Sequence, residues 1–425
     1  MLNNHKLSAY HFATYIIAYT FATKLKFNFK IVTMNNNTLI SRSLTPVMSE
    51  IFNYLPVITL TGPRQSGKTT LCRRLFGSLP YANLEDAATL SELELDPKAF
   101  ISKYPDGVII DEAQRYENIF SYLQVAVDED RMTNATSRHF IVTGSSNFSL
   151  MKNVSQSMAG RTAILTLLPL SVKELLDEYP NASTSQLILR GGYPAVWTTG
   201  DKGRQTILAN YYTTYVERDL RQLINIKDLQ LFHSFIRLCA GRIGNELNAS
   251  NLSVEVGVSV PTIKAWLSIL EASYIIYLLP PYYANIGKRL TKSPKLYFHD
   301  TGLASWLMGI NTVEQLDVHP LRGVLFENLV ISEMMKRQHN QGQQPHLYFY
   351  RDQRQHEIDL INEMQDGTLQ AYEIKAGKTF RQDYFNQLVY LRSLLGDKLL
   401  TTQVIYDGNQ ENPQAIDGIM NFRNI

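Results

Sequence analysis

Residues 57–61 read VITLT, a short β-branched run of buried-strand type, and pass without a break into GPRQSGKTT at residues 62–70. This is the spacing G-x-x-x-x-G-K-[ST], and no other feature of the chain restricts its fold so tightly. Gly62 and Gly67 let the backbone close around a phosphate with its N–H groups turned inward, and the helix that follows offers its positive end. Leu71, Cys72, Leu75 and Phe76 carry the spacing that helix needs. Pro63, Arg64, Gln65, Ser66 and Thr70 complete the cradle, Lys68 reaches the β- and γ-phosphates, and Thr69 holds a metal. The ligand implied is ATP with Mg2+.

Such a loop needs a second strand that delivers an acid to the metal. VIIDEAQ at 108–114 has that form, with Asp111 as the Mg2+ ligand. Glu112 beside it can orient and deprotonate an attacking water, which points to hydrolysis rather than transfer to a second substrate. A third strand, HFIVT at 139–143, leads into Gly144, Ser145, Ser146 and Asn147. Ser146 and Asn147 read either as sensors of the γ-phosphate or as ordinary turn residues. Arg161 opens another β-rich run at 162–167; it reads as an arginine finger, within the chain or toward a neighbour, or as a solvated arginine at a strand start.

These pieces, in this order, resemble the AAA+ class of P-loop ATPases, in which an extra strand, here near 81–86, lies between the loop strand and the acid-bearing strand. GPRQSGKTT, IIDEAQ, TGSSNF, LLPLSVKEL (167–175) and RGGYPAVW (190–197) together resemble a prokaryotic family that joins such a domain to a C-terminal domain with a restriction-endonuclease-like fold.

Composition sets the remaining limits. Over 425 residues, 44% hydrophobic and 19% charged side chains exclude a disordered, collagen-like or rod-like chain. The net charge of +2 owes everything to Lys6, Lys24, Lys26 and Lys30, so bulk charge does not argue for nucleic acid. Two cysteines, Cys72 and Cys239, fit neither a disulfide framework nor a cysteine-rich zinc site, and a cytoplasmic protein is expected. Residues 1–33 read as a poorly ordered extension, with Met34 as an alternative start; their apolar run is too short to span a membrane, and no membrane association is expected.

In the middle of the chain, 205–230 has helical character, with Tyr211, Tyr212 and Tyr215 at near-helical spacings and Arg218 and Arg221 among the charges. Between 249 and 279, two helical patterns flank Gly257-Val258, and Ser259 can cap the second, whose Ile263, Trp266, Leu267 and Leu270 line one face. A basic segment with Lys288, Arg289, Lys292 and Lys295 then leads to a strand-like run. The arrangement looks like a winged helix. It implies either DNA, through wing cations on phosphate, or a protein-packing role.

Near the end, Glu327 lies in a helical pattern, Asp359 in HEIDLI, and Glu373 and Lys375 in AYEIK, with Asp366-Gly367 as the turn between the last two. Residues two apart in a strand share a face, so Glu373 and Lys375 project together. This resembles the PD-(D/E)xK nuclease arrangement, with Ile358 where the motif has proline. The resemblance implies a second Mg2+ or Mn2+ held by Asp359 and Glu373, with Lys375 polarising water, Glu327 completing the site and Gln387 assisting.

The fold expected is α/β: an AAA+ P-loop parallel-sheet core at 34–200, a helical lid at 201–235, a winged-helix-like domain at 236–309 and a nuclease-like α/β domain at 310–425. Three functions stay open: an ATP-hydrolysing switch engaging nucleic acid or protein, an ATP-coupled DNA endonuclease, and an adaptor that binds nucleotide without hydrolysis. A homo-oligomer is compatible with each.

Overall fold

The β-branched runs form strands because each is buried on both sides, the environment of a parallel sheet with helices on its two faces. In the computed structural model, which describes residues 39–116, 118–133, 138–144, 158–217, 228–283 and 292–425, β1 (Val57–Thr61), β2 (Tyr81–Asn83), β3 (Gly107–Asp111), β4 (His139–Thr143) and β5 (Thr162–Thr166) make one sheet of order β2-β3-β4-β1-β5. Every neighbouring pair is parallel. Alternate residues of each strand feed two apolar layers. Val57, Val108, Ile110, Phe140 and Val142 pack with Phe100, Phe120 and Leu123. Ile58, Leu60, Ile109 and Ile141 pack with Leu44, Met48, Leu71 and Cys72 on the other side. The strand at 81–83 precedes the acid-bearing β3 in sequence, but in the sheet β2 is the outer edge beside β3, and it is β4 that lies between the loop-bearing β1 and β3.

Beyond the sheet, Ser171 and Glu174 form a capping box at the start of the helix Val172–Glu178, and the next helix, Thr184–Arg190, ends at Gly191 with a positive φ, 66°. The RGG sequence has a packing cause. A Cβ on Gly191 would lie 2.4 Å from the carboxylate oxygens of Asp300, and the N–H of Gly192 donates to that carboxylate at 2.6 Å. Asp300 also caps the helix Thr301–Leu307 through the Leu303 N–H, at 2.7 Å.

The two helices expected around Gly257 are Ala249–Val256 and Val260–Ala272, bent by 106°. Gly257 has φ 80°, Ser259 accepts from the Thr262 N–H, and Ile263, Trp266, Leu267 and Leu270 are buried. They lead into an antiparallel pair, β6 (Ile276–Leu279) and β7 (Lys295–Phe298). Within the expected lid, the helix Gly200–Tyr211 continues as a π-helical segment, Tyr212–Glu217, whose Tyr212 and Tyr215 are buried; Arg218 and Arg221 lie outside the described residues.

The C-terminal region is a mixed sheet of order β12-β11-β10-β9-β8: β8 (Leu347–Arg351), β9 (Glu357–Glu363), β10 (Leu369–Lys375), β11 (Leu399–Tyr406) and β12 (Asp417–Asn421). β9 and β10 are antiparallel and joined at Asp366-Gly367, where the Asp366 carboxylate accepts from the Thr368 N–H at 2.9 Å. The helices Arg322–Asn340 and Asn386–Leu395 belong to the same region. Buried Glu333 and Lys336 tie it to the first sheet's connections: Glu333 accepts from the Val172 N–H at 2.7 Å, and Lys336 donates to Leu170 O at 3.0 Å. Residues from Ser41 to Ile425 form one compact unit. No single helix among the described residues is long and apolar enough to cross a membrane.

Gly191→Ala should lower unfolding stability by ~1–3 kcal/mol, the cost of overpacking plus a strained backbone. Gly160→Ala, where a Cβ meets nothing within 4 Å, carries only the backbone part. Urea denaturation of the two variants measures the difference, and equal midpoints would refute the packing explanation.

Candidate phosphate-binding site and a second polar cluster

The carboxyl ends of β1, β3 and β4 meet at one edge of the parallel sheet. Gly62 (φ 141°) and Gly67 (φ 95°) adopt conformations closed to other residues, and a Cβ on Gly62 would lie 2.2 Å from Leu167 O. Gln65 also has positive φ, 60°, and is exposed, as is Thr70. Lys68 is buried at the start of its helix and donates to Gly62 O at 2.9 Å and Pro63 O at 2.8 Å. Burial pulls its ammonium down to about 8, against the opposing pull of Glu112 and Asp111. The Arg64 guanidinium lies over the Tyr215 ring, 5.6 Å from its centroid, and 3.7 Å from Glu85. Ser66 Oγ is buried without a hydrogen-bond partner among the described residues.

Asp111 is the node of this edge. Its Oδ2 accepts from Thr69 Oγ1 and from the Tyr81 hydroxyl, both at 2.7 Å; its Oδ1 accepts from Thr143 Oγ1 and from the Glu112 N–H at 3.1 Å. Glu112 adopts φ 56°, and its carboxylate accepts from Gln114 Nε2. Burial pushes that carboxyl upward, while Lys68 and Arg64 draw it back. The donor set suits a nucleotide and Mg2+: glycine-shaped space, a partnerless buried hydroxyl, an ammonium resting on carbonyls, and a threonine and aspartate side by side.

Not every residue expected near this edge is there. Arg161 precedes β5, whose register sets Val57 against Thr162 and Thr61 against Thr166, so it stands at the opposite end of the strands from the loop. It forms a two-pronged ion pair with Asp128, at 2.7 and 2.9 Å. Action on its own chain's phosphate site does not fit this position. Ser146 and Asn147 lie outside the described residues. Tyr81 and Thr143 were not expected from the sequence. The Thr143 signal was accessible, since it ends the strand beside β3 and Ile110 pairs with Val142, whereas Tyr81 carries no local mark.

In the C-terminal region, Glu327, Asp359, Glu373 and Lys375 do come together. Asp359 accepts from the Ile374 N–H at 2.7 Å and lies 4.0 Å from Lys375 Nζ, which donates to Glu373 at 2.5 Å. Glu327 accepts from the Tyr297 hydroxyl and lies 3.8 Å from Lys295, which bonds Glu357. Burial, then repulsion from Asp359, pushes Glu327 and Glu373 well above the usual carboxylate range. Glu373 Oε2 is buried without a partner among the described residues. Even so, no three His, Cys, Asp or Glu side chains among the described residues stand in a metal-holding arrangement.

Two expectations change here. Gln387 bonds His356 Nδ1 at 2.9 Å rather than joining the carboxylates. Lys295, expected as a wing cation for phosphate, is only 3% exposed and bound to carboxylates; Lys292 is exposed, and Lys288 and Arg289 lie outside the described residues. Cys72 and Cys239 are buried free thiols.

Comparison with known families matches residues 55–176 to an AAA domain, and residues 181–314 and 322–423 to two domains of unknown function, DUF8612 and DUF4143. An uncharacterized protein of Mycobacterium tuberculosis is 33% identical over 327 residues, covering 76% of this chain and 71% of that protein. An uncharacterized protein of Haemophilus influenzae is 25% identical over 315 residues, covering 65% and 74%. Among solved structures, the Walker-type ATPase PABY2304 of Pyrococcus abyssi aligns with a TM-score of 0.43 and 13% identity over 64% of this chain and 97% of that one. The phosphate-loop geometry and the matched AAA domain agree, and the chain belongs to the family of AAA-domain P-loop proteins that includes the mycobacterial relative.

Proposed function

We propose that the chain is an ATP-hydrolysing switch whose nucleotide state governs engagement of a partner by the regions after residue 200. The observation that carries this is the meeting of Lys68, Thr69, Asp111 and Glu112 at one sheet edge, with Asp111 bonded to Thr69 and Glu112 immediately beside it. The backbone N–H groups of 64–68 would bind the phosphates, Lys68 would leave its carbonyl partners for phosphate oxygens, and Thr69 and Asp111 would hold Mg2+. Bound there, Mg2+ would offset phosphate charge. Glu112 would take the proton of the attacking water, with Gln114 holding its carboxylate in place beforehand. Ser146 and Asn147 are proposed to sense the γ-phosphate. Arg161 would serve only a neighbouring copy, in a homo-oligomer.

Lys68→Ala should abolish measurable nucleotide binding. Glu112→Gln should keep binding while turnover falls about 10²–10⁴-fold, the usual contribution of a positioned base. Binding by calorimetry and phosphate release by a coupled assay separate the steps; unchanged turnover in Glu112→Gln would remove the hydrolytic role, and no wild-type turnover would leave the adaptor reading.

A second reading, metal-dependent cleavage of DNA by a nuclease-like C-terminal domain, draws on one feature: the partnerless Glu373 Oε2, set among Glu327, Asp359 and Lys375. The ion pairs between these groups would have to open before Asp359 and Glu373 could share an ion. Nicking of plasmid DNA with Mg2+ or Mn2+ that is lost in Asp359→Ala and Lys375→Ala is the expected outcome under this reading. No nicking with either metal would reject it. DNA engagement through the helix pair and β6–β7 would rest on Lys292 and its basic neighbours in sequence, because Lys295 is taken up by carboxylates.

A further inference from the structure

The segment before the helix Thr45–Phe52 carries no recognisable motif, yet it sends one guanidinium into the back of the phosphate loop. Arg42 Nη1 donates to Ser66 O at 2.6 Å, Nη2 donates to Leu168 O at 2.6 Å, and Nε donates to Glu174 at 3.3 Å. Both side chains of the pair are almost wholly buried, 8% and 2% exposed. Glu174 is fixed in turn, accepting from the Ser43 N–H at 2.6 Å and the Ser171 N–H at 2.9 Å. LLPLSVKEL thereby gains a role that no phosphate contact would give it: its carbonyl and its capping glutamate hold an arginine against the loop.

The consequence lies in the Ser66–Gly67 peptide. In a trans peptide the carbonyl oxygen and the following N–H lie in one plane and point in opposite directions. Fixing Ser66 O on Arg42 turns the Gly67 N–H away from Arg42, toward the side the loop offers to phosphate. The same arginine ties Ser66 to the strand-exit segment against which Gly62 packs at its other end, through Leu167 O. Both ends of the loop therefore rest on residues 167–168.

We infer that Arg42 is a positioning residue of the phosphate site, setting the direction of the Gly67 amide through Ser66 O, with Glu174 as its buried counter-charge. It touches no ligand. The inference deepens the nucleotide-binding reading and rests on it. Lysine is a point charge on a flexible stem and cannot span the two carbonyls and the carboxylate as a planar fork does.

The test measures fluorescent ADP binding with Mg2+, and nucleotide-free melting temperature, for the full chain and for Arg42→Lys, Glu174→Gln and the double variant. Arg42→Lys is expected to weaken ADP binding on the order of tenfold while the variant remains folded. Glu174→Gln should weaken it less, and the double variant should bind no worse than Arg42→Lys alone. A folded Arg42→Lys with wild-type affinity, whatever its melting temperature, would overturn the inference, because a merely structural arginine shifts melting and leaves the affinity of the folded protein alone. Should Arg42→Lys fail to fold, Glu174→Gln decides: weakened binding supports the inference and wild-type binding overturns it. Should both fail, a crystal structure of the wild-type chain with Mg2+ and ADP decides: Arg42 still bonded to Ser66 O with the Gly67 N–H directed at phosphate is expected, and Arg42 off Ser66 O or the Gly67 N–H directed away from phosphate contradicts it. Failure of the wild-type chain to bind ADP would instead strike at the nucleotide-binding reading itself.

Discussion

A buried ammonium sits at the centre of this molecule. Lys68 lies inside a loop, hydrogen-bonded to two backbone carbonyls, with the carboxylates of Glu112 and Asp111 opposing its charge. Holding a cation out of water is expensive unless it is hydrogen-bonded and compensated. The arrangement persists because β3 delivers the acids, β1 delivers the loop, and β4 between them sets their separation. Asp111, saturated by Thr69, Tyr81, Thr143 and a backbone amide, keeps the acidic side rigid. A site so arranged is primed for an anion that draws the ammonium off its carbonyls.

The rest of the chain packs onto that edge rather than hanging from it. The Tyr274 hydroxyl, at the end of the helix Val260–Ala272, bonds Thr61 Oγ1 at 2.9 Å, one residue before the loop. Tyr215, beneath the Arg64 guanidinium, donates to Ser273 O at 3.1 Å. Glu333 and Lys336 of the C-terminal region hold the backbone on either side of Ser171. These hydrogen bonds join the two later regions to the loop-bearing part of the chain.

Much of this was legible in the sequence because it is local. The loop, Asp111, Glu112, the five strand segments of the first sheet, the Ser259 cap, the Gly257 turn and the β9–β10 hairpin each leave a signature within a few residues. What stayed hidden is long-range. Arg42 meets Glu174 across 132 positions, and Tyr81 meets Asp111 across 30. Nothing near Arg42 in the chain announces such a partner. The same limit explains the residues whose expected roles changed. Lys295 reads as a solvent cation from composition, but β7 carries it against Glu357 and Glu327. Arg161 reads as a free guanidinium until the helix Ile119–Thr133 brings Asp128 to it. The C-terminal carboxylates lie beside lysines, Asp359 and Glu373 with Lys375 and Glu327 with Lys295.

The measurement closest to the central claim is a crystal structure of the full chain with Mg2+ and a non-hydrolysable ATP analogue. The account predicts phosphates bound to the backbone N–H groups of 64–68, with Lys68 Nζ moved from the Gly62 and Pro63 carbonyls onto phosphate oxygen. A nucleotide bound elsewhere, or Lys68 still closed on those two carbonyls, would contradict it.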